Sequence, residues 1–452
     1  MCSPVYDGII TVMENVDLII NARWIVPVNQ ENQVLEHHCV VINDGRIVDL
    51  IPQEQAKQNY QAETVHQFEH HCLMPGLINN HTHTAMSLFR GLADDLPLMT
   101  WLNEHIWPAE QKFVGDAFVE AGSELAIAEM IRGGTTCFND MYFFPEATAR
   151  VADQSGIRAS IGMIVIDFPT NWADSVEEYF HKGQQLHDHY RHHPRITTAY
   201  APHAPYTVSD GPLESLMMNA EELDVPIHMH IHETASETAQ AVEQSGMRPL
   251  ERLKDLGLLS PRLTAVHMTQ LTEEEIAWCA EAGVNVVHCP ESNLKLASGF
   301  CPVSQLIEKG INVSIGTDGA ASNNDLDMFA EMKQTALLAK AVAQNASAVP
   351  AHVALEMATI NGAKALGIDN ITGSLEKGKA ADLIAIDLNS VETQPIYDVV
   401  SQLVYATSRD KVTDVWVDGK HLLNNRQLTT LNSTQIIHNS QQWAEKIKQA
   451  DS

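Results

Sequence analysis

Eight short apolar runs rich in β-branched residues recur through the middle of this chain, at 72–80, 134–140, 158–165, 196–201, 225–230, 263–267, 284–288 and 311–316. Helical patterns lie between them, for example Ala117 to Ile131 and Leu326 to Gln344. Strands that alternate with helices pair in parallel through helical crossovers. Eight such units fit an α/β fold of the (β/α)8 type, a TIM-like barrel, better than an open doubly wound sheet. No Gly-x-Gly-x-x-Gly follows a strand and no Walker loop occurs, so a nucleotide-phosphate cradle is not supported.

The two ends of the chain read differently. Asp17 to Val26 and Cys39 to Val48 are β-rich, with Asn43-Asp44-Gly45 supplying a tight hairpin turn. A matching composition returns in Gly373 to Asp387 and Val412 to Lys420. Two β ends around a barrel-like middle predict one small β domain assembled from both, with residues 1–70 and 369–452 flanking a barrel at 71–368 and a helix closing the chain. A length of 452 residues with 44% hydrophobic content allows one large domain and a smaller one.

Net charge is -30, from 58 acidic against 28 basic residues, which argues against a nucleic-acid or anionic-membrane partner. The cysteines, Cys2, Cys39, Cys72, Cys137, Cys279, Cys289 and Cys301, are odd in number and contain no Cys-x-x-Cys pair. That pattern fits a reducing cytosol rather than a disulfide framework or a zinc ribbon. No secretory signal and no membrane-length apolar run is visible, so a cytoplasmic protein is expected.

In such a barrel the chemistry sits at the C-terminal ends of the strands. The first strand ends in His81 and His83, which share one strand face and can aim two imidazoles at one point. Alone, a His-x-His pair is a weak signal for a metal site. Further strand ends carry His203, then His228, His230, His232 and Glu233, then His267, His288 and finally Asp318 with Ser322. Histidine at five of eight strand ends is hard to attribute to packing, because a buried imidazole needs a specific partner.

Five stretches carry a family resemblance: Pro75-Gly-Leu-Ile-Asn-Asn-His-Thr-His83, Ala201-Pro-His-Ala-Pro-Tyr206, His230-Ile-His-Glu233, Cys289-Pro-Glu-Ser-Asn293 and Gly316-Thr-Asp-Gly-Ala-Ala-Ser-Asn-Asn324. In them the chain resembles the amidohydrolase superfamily, in its branch of metal-dependent nucleobase and nucleoside deaminases. It is similar to 5-methylthioadenosine/S-adenosylhomocysteine deaminases in particular. The β-rich ends match the composite β-sandwich such proteins carry. The resemblance implies that His81, His83, His230 and Asp318 are metal ligands, for zinc or for iron or another divalent ion. On the fifth strand the period does not choose among His228, His230 and His232; the spacing to Glu233 selects His230 and leaves the others to packing or supporting roles. Dinuclear relatives carry a bridging lysine carboxylate on the fourth strand. Ile196 to His203 contains no lysine, so one metal ion per subunit is expected. The resemblance also implies a homodimer.

The expected reaction is hydrolytic deamination of an adenosine-type nucleoside to the inosine analogue and ammonia. Asp318 is expected to take the proton of the attacking water, His267 to orient it, and a protonated Glu233 to donate to ring N1. By resemblance, His203 and Ser322 hydrogen-bond the purine, Glu110 accepts the ribose hydroxyls, and Trp101 packs on the ligand. His288 reads as structural. Relatives that bind S-adenosylhomocysteine well hold its amino-acid carboxylate with arginines. This chain has none between Arg158 and Arg191, which predicts a preference for 5'-methylthioadenosine. The competing readings are a guanine, cytosine or triazine hydrolase of the same superfamily, or a scaffold that has lost its metal.

Overall fold

Gly76 divides what the apolar pattern joins. The expected first strand, 72–80, is two strands in the computed structural model, which describes residues 13–450. Tyr60–Pro75 belongs to an outer sheet, and Leu77–Thr82 opens the barrel. A Cβ at Gly76 would lie 2.0 Å from the side chain of Thr136, so the crossing of the two sheets leaves no room for one. Cys2 and residues 1–12 of the expected N-terminal segment lie outside the described residues, as do the last two.

The barrel strands are β1 (Leu77–Thr82), β2 (Thr135–Asp140), β3 (Arg158–Val165), β4 (Ile196–Pro202), β5 (Ile227–Ile231), β6 (Leu263–His267), β7 (Asn285–His288) and β8 (Val313–Ile315). They hydrogen-bond in chain order and run parallel throughout. Seven of the apolar runs, and the part of the first beyond Gly76, thus supply the barrel strands. The seam between β8 and β1 is bridged by Asp318 N donating to His81 O at 2.9 Å and Thr317 N to Asn79 Oδ1 at 3.0 Å. Gly316 permits that closeness, since a Cβ there would stand 2.7 Å from the backbone nitrogen of His81.

The outer sheet is mixed and draws on both ends of the chain, with Glu14–Ile25, His38–Asn43, Arg46–Pro52 and Tyr60–Pro75 from one and Leu383–Asp387, Val412–Val417 and Lys420–Asn424 from the other. Its strands join in one hydrogen-bonded path. Glu14–Ile25 serves two cores: Leu18, Ile20 and Ala22 on one face pack with Trp416 and Leu383, whereas Ile19 on the other packs with Cys39 and Ala56. The first part of Tyr60–Pro75 alternates only half-buried residues, Tyr60, Ala62, His66 and Phe68, with exposed ones, and Val65 faces outward, which is why a strand there is hard to read; its parallel pairing with Glu14–Ile25 holds it.

A buried ion pair ties sheet to barrel. Arg158 at the start of β3 donates Nε to Asp382 at 2.8 Å and Nη2 at 3.1 Å, a bidentate fork that satisfies both partners. The terminal helix Ser433–Ala450 seats Trp443 edge-on against Phe118, with ring centroids 5.2 Å apart. Among the described residues, no helix is long and apolar enough to cross a membrane.

Candidate active site

Loops from the C-terminal ends of the barrel strands enclose a cavity of about 430 Å3. Its floor is formed by His83, His230, His267 and Asp318, and among the described residues no lysine or arginine lines it.

The floor is built from imidazoles whose outer nitrogens are already engaged. His83 Nδ1 donates to Met141 O at 2.5 Å and His230 Nδ1 to His203 O at 2.7 Å. His81 Nδ1 lies 2.8 Å from His228 Nε2. Each ring therefore turns its Nε2 inward, and that direction is fixed by a neighbour rather than by rotamer preference. His81 Nε2 is 3.1 Å from His230 Nε2 and 3.5 Å from Asp318 Oδ1, and His83 Nε2 is 3.2 Å from the same oxygen. Four ligands about 2.0–2.1 Å from a zinc ion stand roughly 3.3 Å apart along the edges of a tetrahedron. The donor set and its spacing fit such an ion. His267 is also within reach, grouped with His81 and His230, so the site offers a fifth donor at its rim.

Electrostatics agree with that fit. Burial lowers His81 to about 4 and His230 well below its ordinary value, leaving both as neutral lone-pair donors. Burial works the same way on His83, but the adjoining Asp318 outweighs it and lifts that imidazole to about 9. A cation bound at this point displaces that proton. Burial opposes charge on Asp318, yet hydrogen bonds from His81 and His83 hold its carboxyl well below the usual range.

Three ionisable side chains stand together at the floor. His267 Nε2 is 3.9 Å from Glu233 Oε2 and 4.0 Å from Asp318 Oδ2. Burial raises the Glu233 carboxyl above its ordinary value, opposed by His267 and aided by Asp318. The short helix α1 (Pro290–Lys295) after β7 orients the other two. Ser292 Oγ donates to Asp318 Oδ2 at 2.7 Å, and Asn293 Oδ1 accepts from His267 Nδ1 at 2.9 Å. Both oriented residues carry left-handed backbones, with φ of 75° at His267 and 64° at Asp318. Non-glycine residues hold such angles at a cost of about 1–3 kcal/mol, a strain typical of sites that aim a side chain.

The opposite wall carries the residues expected to meet substrate. Glu110 lies in the helix Trp107–Phe113, with Trp101 heading the π-helical turn before it. Tyr142, just beyond β2, donates its hydroxyl to Glu110 Oε1 at 2.7 Å. Burial nevertheless pushes the Glu110 carboxyl up to about 7. His203 rests its Nδ1 on Thr207 Oγ1 at 3.0 Å, and burial, reinforced by His83 and His81, lowers its ring to about 3. Ser322 is 3 % exposed and sits 3.1 Å from Ser292 Oγ. Trp101, Glu110, His203, Glu233 and Ser322 all line the one cavity that holds the imidazole floor.

Two histidines lie elsewhere. His232 does not share the face of His228 and His230, because β5 ends at Ile231 and a φ of 54° at His232 turns its ring away. Its Nε2 accepts from Leu250 N at 3.2 Å, a packing role. His288 is buried away from the cavity, beside Cys301 and Val303. Sequence reasoning passed over Tyr142, Ser292 and Asn293. The last two stand in the Cys289–Asn293 stretch at a strand end, which was the available signal; Tyr142 had none beyond its place two residues past β2.

An amidohydrolase family model matches residues 72–422. A 5-methylthioadenosine/S-adenosylhomocysteine deaminase of Saccharophagus degradans is 52% identical over 432 residues, covering 96% of this chain and 97% of that one. The crystal structure of an adenosine deaminase from Xanthomonas campestris with bound zinc superposes with a TM-score of 0.96 at 52% identity, covering 97% of this chain and 100% of that one. An atrazine chlorohydrolase from Arthrobacter aurescens, complexed with zinc, superposes with a TM-score of 0.87 at 22% identity, covering 94% of this chain and 100% of that one, and shares the fold.

Proposed function

The chain belongs to the amidohydrolase family, and we propose that it is a zinc-dependent hydrolase that removes the 6-amino group of an adenosine-type nucleoside, with 5'-methylthioadenosine as its preferred substrate. The observation that carries this reading is the cavity itself, which faces a metal-sized donor cluster with a carboxylate suited to a ribose diol. The deaminase names of the full-length relatives, and the zinc in one of them, support it. His81, His83, His230 and Asp318 would hold the ion, which supplies a nucleophile at neutral pH by acidifying water from about 15.7 toward about 7.

The side chains then divide the remaining work. Asp318 takes the proton of the attacking water, with Ser292 keeping its second oxygen aligned. His267, its tautomer fixed by Asn293, directs the attack at C6 of the purine. Negative charge develops at N1, and Glu233 meets it by donating its proton there. Asp318 returns the first proton to the leaving nitrogen, which departs as ammonia, and the proton left on the added hydroxyl passes to Glu233, giving the 6-oxo product and restoring the acid. Charge stabilisation aimed at the developing anion is the largest contribution such residues make.

Binding uses the upper wall. Glu110 accepts from both ribose hydroxyls, one carboxylate serving a vicinal diol. His203 and Ser322 hydrogen-bond the base, and Trp101 closes over it. The 5' end meets Phe168, Pro169 and Thr170, uncharged and partly apolar. The lack of a cationic side chain supports a short thioether tail over an amino-acid carboxylate. The described cysteines are all free and buried, which supports a reducing, cytoplasmic setting.

Ammonia release from methylthioadenosine, S-adenosylhomocysteine, adenosine, adenine, guanine and cytosine tests the reading. The nucleosides are turned over, with kcat/KM highest for methylthioadenosine. Turnover of free bases alone overturns the nucleoside assignment, and a clear advantage for S-adenosylhomocysteine overturns the assignment of the tail.

A further inference from the structure

The side chain of Asn171 lies against the end of the helix that carries Glu110. Its Nδ2 donates to Gln111 O and Val114 O, both at 2.9 Å, and is 3.4 Å from Glu110 O. Those carbonyls belong to the last turn of Trp107–Phe113 and the residue after it; Glu110 O already accepts from Val114 N at 2.9 Å, and the ones beyond it lie where helical carbonyls begin to lack partners. Carbonyls only accept, so only the amide nitrogen can face them, and the orientation of Asn171 follows.

Asn171 stands on firm ground of its own. Asp167 N donates to Thr207 O at 3.0 Å, and Thr170 N to Ala173 O at 2.9 Å. Tyr179, fully buried, donates its hydroxyl to Phe168 O at 3.2 Å and lies 2.7 Å from Thr170 Oγ1. The next residue, Trp172, is 3 % exposed and donates Nε1 to Glu146 at 3.2 Å. The loop is therefore pinned on the barrel side, while its inner edge, Phe168 to Asn171, lines the cavity.

We propose that Asn171 is a positioning residue that fixes Glu110 against the ribose by docking the last turn of its helix onto the loop facing the 5' end. Tyr142 sets the carboxylate and Asn171 sets the backbone that carries it. The wall reading the 5' substituent and the wall reading the sugar thus move as one body. The inference rests on the assignment of Glu110 to the ribose hydroxyls.

The test compares kcat/KM for methylthioadenosine and for its 2',3'-dideoxy analogue in wild type, Asn171→Asp, Asn171→Ala and Glu110→Gln, each loaded with zinc. Asn171→Asp keeps the shape, removes both donors and sets a charge against carbonyl oxygens. The expected result is that both Asn171 variants reduce the preference for the intact ribose by about tenfold, the equivalent of one to two hydrogen bonds. The dideoxy analogue is turned over at a near wild-type rate. A misfolded fraction would scale both substrates equally and leave the ratio unmoved. If Glu110→Gln collapses the ratio while both Asn171 variants hold it within about twofold, the positioning role is overturned. If Glu110→Gln leaves the ratio unchanged, the ribose assignment fails and the inference falls with it.

Discussion

Ser292 donates its hydroxyl to Asp318 Oδ2 at 2.7 Å, leaving Oδ1 to face His81 and His83. The two oxygens of one carboxylate thus have separate duties, and the serine keeps them apart. Ser292→Ala frees Asp318 to rotate. Loss of such an outer hydrogen bond costs about 10–100-fold in activity or metal affinity. Steady-state kinetics with methylthioadenosine should show the loss in kcat, with KM little changed; an unaltered kcat argues against the role.

His228 supports the proposed ligand His81 in the same manner, its Nε2 lying 2.8 Å from His81 Nδ1. Its own Nδ1 is buried and has no hydrogen-bond partner among the described residues. His228→Leu retains the bulk and removes the contact. Zinc affinity, read by competition with a chromophoric chelator, is expected to fall by about 10–100-fold. Retention of wild-type affinity would show that packing alone orients His81.

In the proposed mechanism Glu233 holds a proton until N1 receives it. Burial raises its carboxyl, so the acid form persists further up the pH scale than an exposed glutamate allows. Glu233→Gln keeps a donor but has no proton to transfer, and kcat is expected to drop by about 10²–10⁴-fold. Activity in wild type falls on the alkaline side as this group ionises. A variant that keeps more than a tenth of wild-type kcat would exclude Glu233 as the acid.

Glu110 predicts a conflict between binding and stability. Burial moves its carboxyl from an ordinary 4.5 up to about 7. Below 4.5 folded and unfolded forms are both protonated, and the group contributes nothing. Between those values the folded state binds the proton more tightly, so stability declines as pH rises, and above about 7 the whole penalty remains. Glu110→Gln escapes the penalty. Calorimetry at pH 8 should show its thermal midpoint above wild type by about 3 °C, with the gap closing near pH 4.5. A lower midpoint at pH 8 contradicts the sign.

The barrel was legible because its strands are apolar on both faces and bounded by polar residues that have work to do. His81, His83, His230 and Asp318 could be singled out because strand ends in such a barrel converge and because the motifs around them match a family. Their mutual distances needed the closed barrel. The break at Gly76 was hidden because both strands it separates are apolar. Tyr60–Pro75 was hidden for the opposite reason, since its first part is polar on both faces apart from Ala62, Val65 and Phe68, and Val65 points outward. Positive φ at His232 is invisible in a period-2 reading, which is why three histidines looked coplanar. Ser292, Asn293, Tyr142 and Asn171 act through neighbours distant in the chain, and residue type alone does not announce such a partner.

The passage at Gly76 also sets how the reactive edge is kept in register. Pro75 pairs with Leu383 in the outer sheet, and Leu77, two residues on, pairs with Thr135 in the barrel. A slip of one residue along β1 would swing His81 and His83 to the far side of the strand. The outer sheet works as a stop against that slip, so mutations far from the cavity, along the Leu383–Asp387 ladder, should loosen the grip on zinc before they unfold the chain.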